Sequence, residues 1–275
     1  MSSNGNNKSN SSESILIELM TDNGVLRLTL NDSKRRNALS EEMMSSIATA
    51  LSKAEKNPDT KVIIISANGP AFCSGHDLKQ MSAGRKNDDG GLAYFTQVFS
   101  SCSALMQQIV NHPKPVIAEV SGVAAAAGCQ LVACCDLAIA SESARFVTPG
   151  VNIGLFCSTP MVALSRNVSN KAAMEMLLTG EMIDAQKAER IGLINRVEED
   201  QALTQKTLEM ATLIASKSSM VLETGKKAFY GQKDMPLSEA YEYTSQVMVD
   251  NMLKQDAKEG IDAFIEKRQP KWQDK

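Results

Sequence analysis

The sequence predicts an α/β fold that turns wholly helical towards its C-terminus, on three observations. Short β-branched runs alternate with helix-period segments from Ile15 to Ala140. Val62–Ile65 is apolar at every position, as in a strand buried on both faces. From Ser169 onward the apolar residues recur almost throughout at helical spacing.

Each element follows from its own chemistry. Ile15–Leu19 and Val25–Leu30 flank Asp22-Asn23-Gly24, a turn signal that predicts an opening β-hairpin. Ser40 can cap a helix carrying Glu41 and Glu42 in its first turn, with Met43, Met44, Ile47, Ala48, Leu51 and Ala54 as its stripe up to Pro58. A strand at Val62–Ile65 comes next. Ala67–Gly91 reads as a mobile loop with a short apolar interruption. Phe95, Val98, Phe99, Cys102, Leu105, Met106 and Ile109 form the stripe of a second helix, stopped by His112-Pro113, with His112 as its C-terminal cap. Strand Val116–Val120, a break at Ser121-Gly122, a helix from Ala127 to about Cys135 and strand Leu137–Ala140 complete two or three βαβ units around one sheet. Helices are then expected over 171–178, 184–191, 200–215, 220–229, 237–251 and 255–267. The chain divides into a disordered tail over 1–14, an α/β core over 15–200 and a helical region over 201–275, amphipathic enough to pack on the core or on another subunit.

Composition removes several functions. Lys and Arg number 29 against 32 Asp and Glu, so there is no basic excess to neutralise a phosphate backbone, and no nucleic-acid partner is expected. No apolar stretch approaches the ~20 residues of a membrane span. The Ser- and Asn-rich opening carries Lys8 as its only base and no apolar stretch, unlike a secretory signal or a transit peptide. Six cysteines stand in apolar surroundings without a CxxC pair, and the chain has two histidines, so the cysteines read as reduced core residues of an intracellular protein and no metal site is expected. A cytoplasmic protein is the expectation, or a mitochondrial matrix protein if a transit peptide has been removed.

Two segments share one design, a buried strand running into a small-residue turn: Val62 to Leu78, and Val116 to Gln130. Small residues let a ligand approach the backbone, and a helix beginning near Ala127 would aim free N–H groups and its positive dipole end at it. Two such donors converging would form an oxyanion hole.

With Asn37-Ala38-Leu39-Ser40, Ala71 through Lys79, Lys114 through Ala118, Ala126-Ala127-Gly128-Cys129, Cys135-Asp136, and Leu178-Thr179-Gly180 through Ala188 and Gly192-Leu193, the chain resembles the enoyl-CoA hydratase/isomerase (crotonase) superfamily from about Ile15 to its end. The resemblance implies a ββα spiral core with a C-terminal helical subdomain, assembly as a homotrimer or hexamer, and an acyl-CoA thioester as substrate with no further cofactor. By position it makes the backbone N–H groups of His76 and Ala127 the oxyanion hole, with the His76 imidazole outside that role. It brings Gly128 into the substrate site, turns the Ser74 carbonyl towards the adenine, and sets Lys79 near the phosphates, with a C-terminal base (Lys267, Arg268 or Lys271) contributing; Lys79 reads equally as a solvated surface lysine.

The departure from the family pattern carries as much weight. Where hydratases of this family place two proton-transferring glutamates, this chain has Gln130 and Gly150, and neither exchanges a proton at neutral pH. Cys157-Ser158-Thr159 offers a thiol and hydroxyls with no adjacent base, which suits a helix start better than a nucleophile. The expected function is therefore acyl-CoA binding with oxyanion-hole chemistry and weak or absent hydration in acyl-CoA metabolism, against the alternative of a non-catalytic CoA-binding or assembly protein.

Overall fold

The computed structural model describes residues 14–275. All but the last residue of the predicted tail lies outside the described residues.

The hairpin forms as expected: β1 (Leu16–Met20) runs antiparallel to β2 (Val25–Leu30). Helix α1 (Glu41–Lys56) is capped by the Ser40 hydroxyl, which accepts from Met43 N at 3.2 Å. Strands β3 (Val62–Ala67), β4 (Val116–Val120) and β6 (Leu137–Ser141) add in parallel, with α3 (Leu92–Asn111) crossing between β3 and β4. Alternation divides the two faces. Leu26, Leu28, Ile63, Ile65, Val116 and Ala118 enter the main core, where α1 and α3 pack, while Val25, Val62, Ile64 and Ile117 meet Ala211 and Ala215 of α8 (Leu203–Ala215) behind the sheet.

Three expectations need correction. The stretch 67–91 contains a short helix, α2 (Leu78–Gly84), started by the Asp77 carboxylate accepting from Lys79 N and Gln80 N. The described residues form two sheets: β5 (Val123–Ala125), β7 (Arg145–Val147) and β8 (Ile183–Asp184) make the smaller one, so the chain spirals from one sheet into the next. Strands also continue past residue 169, since β9 (Arg196–Glu198) pairs in parallel with β6 and closes the larger sheet in the order β1-β2-β3-β4-β6-β9. These added strands are two or three residues long, too short to show a period of two.

Between β7 and α8, α5 (Ser158–Asn167), α6 (Asn170–Thr179) and α7 (Ala185–Arg190) cover the core. Helix α9 (Ser219–Gln232) is tied to it by Asp136, which receives Lys226 Nζ at 2.7 Å and the Tyr230 hydroxyl at 3.0 Å while also accepting from Val116 N. Helices α10 (Leu237–Met252) and α11 (Gln255–Glu266) extend from α9 with large apolar residues exposed, among them Leu237, Tyr241, Phe264 and Ile265. Among the described residues no helix is long and apolar enough to cross a membrane, and all six cysteines are buried and free.

Candidate active site

The loop after β3 is fixed by Asn37. This side chain is fully buried on a left-handed backbone (φ 52°), accepts from Asp32 N at 2.7 Å and donates to Asn68 O and Ala71 O, each at 2.8 Å. Asparagine tolerates that conformation and supplies both hydrogen-bonding senses. Beyond it, Cys73 N donates to Val123 O and Cys73 O accepts from Ala125 N at 2.8 Å, so the first loop joins the start of the second segment as a strand would.

Gly75 turns the loop with φ +88°, and a Cβ built on it would stand 3.3 Å from Ala127 N. The residue before His76 therefore abuts the first residue of α4 (Ala127–Cys134). Ala126, just before the helix, has φ 50° and ψ −116° without a glycine's freedom. Such a conformation costs on the order of 1–3 kcal/mol and persists where surroundings impose it; here it sets the plane of the peptide leading into Ala127. Among the described residues neither His76 N nor Ala127 N donates to a backbone carbonyl. Gly128 is required by closeness: a Cβ there would meet Cys73 O at 2.2 Å.

The His76 imidazole packs edge-on against Phe99, ring centres 5.4 Å apart. Burial pushes its pKa below the usual histidine value, which holds it neutral at pH 7. Ser74 N donates to Arg36 O, placing the Lys34-Arg35-Arg36 turn beside the loop, a basic cluster that the sequence reading passed over. Lys79 is an exposed residue in the first turn of α2. Lys267 is the left-handed C-cap of α11, and Arg268 is engaged by Glu259 and Glu266.

The two positions where acids would stand differ in kind. Gln130, one turn into α4, is 4% exposed, its Oε1 has no hydrogen-bond partner, and it lines a cavity of about 420 Å³ between α3, α4, α5 and α9. Gly150 lies in a 3-10 turn (Pro149–Ile153) with no open space above it: a Cβ would come 2.9 Å from Cys157 Sγ and 3.0 Å from Leu155 O. Cys157 is the N-cap of α5 without a side-chain capping bond, so that helix starts without the polar cap expected of Cys157-Ser158-Thr159. Burial raises its thiol pKa, keeping it protonated and a poor nucleophile. The site thus has two backbone N–H groups that donate to no backbone carbonyl among the described residues, and no proton-transferring carboxylate at either position.

His112 is the C-cap of α3, as expected. Its Nε2 lies 3.1 Å from Leu51 O and its Nδ1 accepts from Lys114 N. The cavity and the Asp136 anchor were missed by the sequence reading. The i, i+3, i+4 stripe Gln130, Ala133, Cys134 was the available signal for the cavity.

A family model described as enoyl-CoA hydratase/isomerase matches residues 20–275. The chain is 49% identical over 261 residues to the rat protein named enoyl-CoA hydratase domain-containing protein 3, mitochondrial, covering 95% of this chain and 85% of that one. The crystal structure of human enoyl coenzyme A hydratase domain-containing protein 3 superposes with a TM-score of 0.90 at 48% identity, covering 94% of this chain and all of the other. An enoyl-CoA hydratase structure from Mycobacterium smegmatis also gives 0.90, at 43% identity and covering 94% and 99% of the two chains.

Proposed function

The chain belongs to the enoyl-CoA hydratase/isomerase family, and from that premise we propose that it binds acyl-CoA thioesters with the carbonyl oxygen accepting from the N–H groups of His76 and Ala127. The observation that carries this reading is the pair of adjoining backbone donors, one loop and one helix start, that spend themselves on no backbone carbonyl among the described residues. Donors fixed before the reaction stabilise a developing enolate or tetrahedral oxyanion without reorganising. Ser74, Lys79 and the neighbouring basic turn would meet the nucleotide end of CoA, with Gly128 keeping the two donor segments in contact. A base from the C-terminal segment, Lys267 or Lys271, would add to that contact.

Hydration of an enoyl thioester should be weak or absent, since Gln130 and Gly150 supply no proton and each general acid or base ordinarily contributes about 10²–10⁴ in rate. A second reading, a CoA-binding or assembly protein without turnover, draws support from the packed space above Gly150. The apolar faces of α10 and α11 support a homotrimer or hexamer, which light scattering at micromolar concentration would test; a monomer would refute it. The relatives' mitochondrial naming supports the matrix over the cytoplasm as its compartment.

The deciding experiment titrates enoyl-, malonyl- and saturated acyl-CoAs, follows turnover, and records the infrared stretch of a ¹³C-labelled thioester carbonyl. Binding with a downshifted carbonyl supports the donor pair. Turnover of any substrate favours the enzyme, and binding without turnover favours the second reading. Failure of every thioester to bind would overturn the proposal.

A further inference from the structure

The cavity of about 420 Å³ that Gln130 lines is not uniform. Met106, Val110, Ala133 and Val162 give it apolar walls, but where α5 ends it meets Arg166 and Lys233, with Asp234 the one acid lining it among the described residues. None of these three charges is in an ion pair among the described residues. The Arg166 guanidinium spends a single hydrogen bond, Nη1 to Val162 O at 3.0 Å, so most of its N–H donors have no protein partner there. Lys233, the C-cap of α9, donates through Nζ to Arg166 O at 2.5 Å, which fastens the end of α9 to the end of α5 and sets the two cations side by side. A hydrocarbon ending at that place would cover two charges and give them nothing in exchange for water.

The distance is set by α4. Asn167 Nδ2 donates to Ala133 O at 2.8 Å, so the residue beside Arg166 touches α4 six positions (127 to 133) after the donor Ala127. Six residues advance a helix by about 9 Å. Carbon–carbon bonds of about 1.5 Å advance an extended chain by roughly 1.25 Å apiece, so about seven bonds cover that span. On the acyl-CoA reading above, which this step requires, we infer that the α5–α9 end of the cavity takes a carboxylate at the far end of the acyl chain, so that the site selects ω-carboxyacyl-CoA thioesters about eight carbons long. Asp234 offsets one of the two positive charges and leaves this end net positive, and the incoming carboxylate neutralises the remainder. Arginine's planar fork suits a carboxylate, which it can hold through two N–H groups at once.

The test is calorimetric titration of the full chain with suberyl-CoA, octanoyl-CoA and the ω-methyl ester of suberyl-CoA, which carries the same chain and loses the charge. Succinyl- and butyryl-CoA form a short pair, and free CoA reports the nucleotide end alone. The parent should bind suberyl-CoA at least about tenfold more tightly than octanoyl-CoA or the ester, and that ratio should fall as salt is raised. Succinyl- and butyryl-CoA should bind about equally, since a four-carbon acid stops short of Arg166. Arg166→Gln should cut the suberyl-to-octanoyl ratio at least about fivefold, and Lys233→Gln should cut it by less. Equal binding of suberyl-CoA and octanoyl-CoA or the ester by the parent overturns the inference and leaves the acyl-CoA reading standing. So does a ratio that survives in both variants, and so does an Arg166→Gln loss shared equally by free CoA, which would make these cations part of the phosphate site. If no thioester binds the parent, both fall together.

Discussion

Gly128→Ala tests the contact on which the donor pair depends. The added Cβ would lie 2.2 Å from Cys73 O, where Cβ atoms essentially never come within 3.0 Å of a neighbour, so the loop and α4 must separate by at least 3.0 − 2.2 = 0.8 Å. Cys73 cannot yield freely, because its carbonyl accepts from Ala125 N at 2.8 Å and its N donates to Val123 O. Overpacking of this kind costs about 1–3 kcal/mol, and weakening one buried hydrogen bond adds about 1 kcal/mol. The helix gains back up to about 1 kcal/mol on replacing glycine by alanine. A net loss of about 2 kcal/mol follows, or roughly 5 °C in Tm for a chain of this size. The functional loss should be larger, since misplacing a reacting group by about 1 Å can cost about 10²-fold. Urea melts, acyl-CoA titration and the carbonyl stretch measure all three. Gly225→Ala is the matched control: this glycine lies in α9 with nothing within 4 Å of the Cβ position, and the change should stabilise by about 0.5–1 kcal/mol without altering binding. A Gly128→Ala protein as stable as the parent, with the carbonyl stretch unmoved, would refute the argument.

Asn37→Leu removes three hydrogen bonds, one buried and two part-buried, and places a branched side chain at φ 52°, so urea melts should show a loss of about 3 kcal/mol, and an unchanged midpoint would contradict the clasp. His112 is buried and its pKa lies below 6.5, chiefly through burial; as pH falls below 6.5 the unfolded chain takes up a proton that the native state refuses. Its share of the stability is therefore present above 6.5 and lost as pH falls through the native pKa, and His112→Gln should flatten the stability profile in that window, an unflattened slope excluding it as the source. Gln130→Glu alone should fold and give little crotonyl-CoA hydration. Gly150→Glu should fold poorly beside Cys157 Sγ at 2.9 Å, and only its combination with Gln130→Glu and Cys157→Gly should hydrate measurably. Robust hydration by the unmodified chain, followed by loss of enoyl absorbance, would overturn the account of the missing acids.

The parts of the fold legible in the sequence are those where one residue decides a local conformation. Ser40 starts α1 through its own hydroxyl, Asn23-Gly24 turns the hairpin, and Pro113 follows the end of α3. The strands that escaped, β5, β7, β8 and β9, are made by pairing partners far along the chain, and Val123–Ala125 has no local preference that could announce it. The site divides in the same way. Small residues at Gly75 and Gly128 were visible as permission for close approach, but only coordinates show that Gly128 faces the Cys73 carbonyl. Asn37 was visible as a marker, and its meaning lies in three contacts made by a left-handed asparagine. Lys226 and Tyr230 meet Asp136 across more than 89 positions of sequence, a distance no periodicity spans.

Gln130 and Gly150 look equivalent in the sequence, as two acids lost from one mechanism, and the structure makes them opposites. At Gly150, Cys157 Sγ and the Leu155 carbonyl stand 2.9 and 3.0 Å from where a Cβ would be, so packing leaves no room for a carboxylate side chain. At Gln130 the shape of the acid is kept and only its proton chemistry is gone, with the side chain still buried and still lacking a partner. Had relaxed selection on a dead site been the only cause, an apolar residue at 130 would have been the less costly occupant, since a buried unpaired amide costs about 1–3 kcal/mol. A buried amide without a partner beside a packed Gly150 is what a site that still holds a polar group would keep. Gln130→Leu separates the two cases: a more stable protein with unchanged acyl-CoA affinity marks an abandoned site, and a loss of affinity marks one still in use.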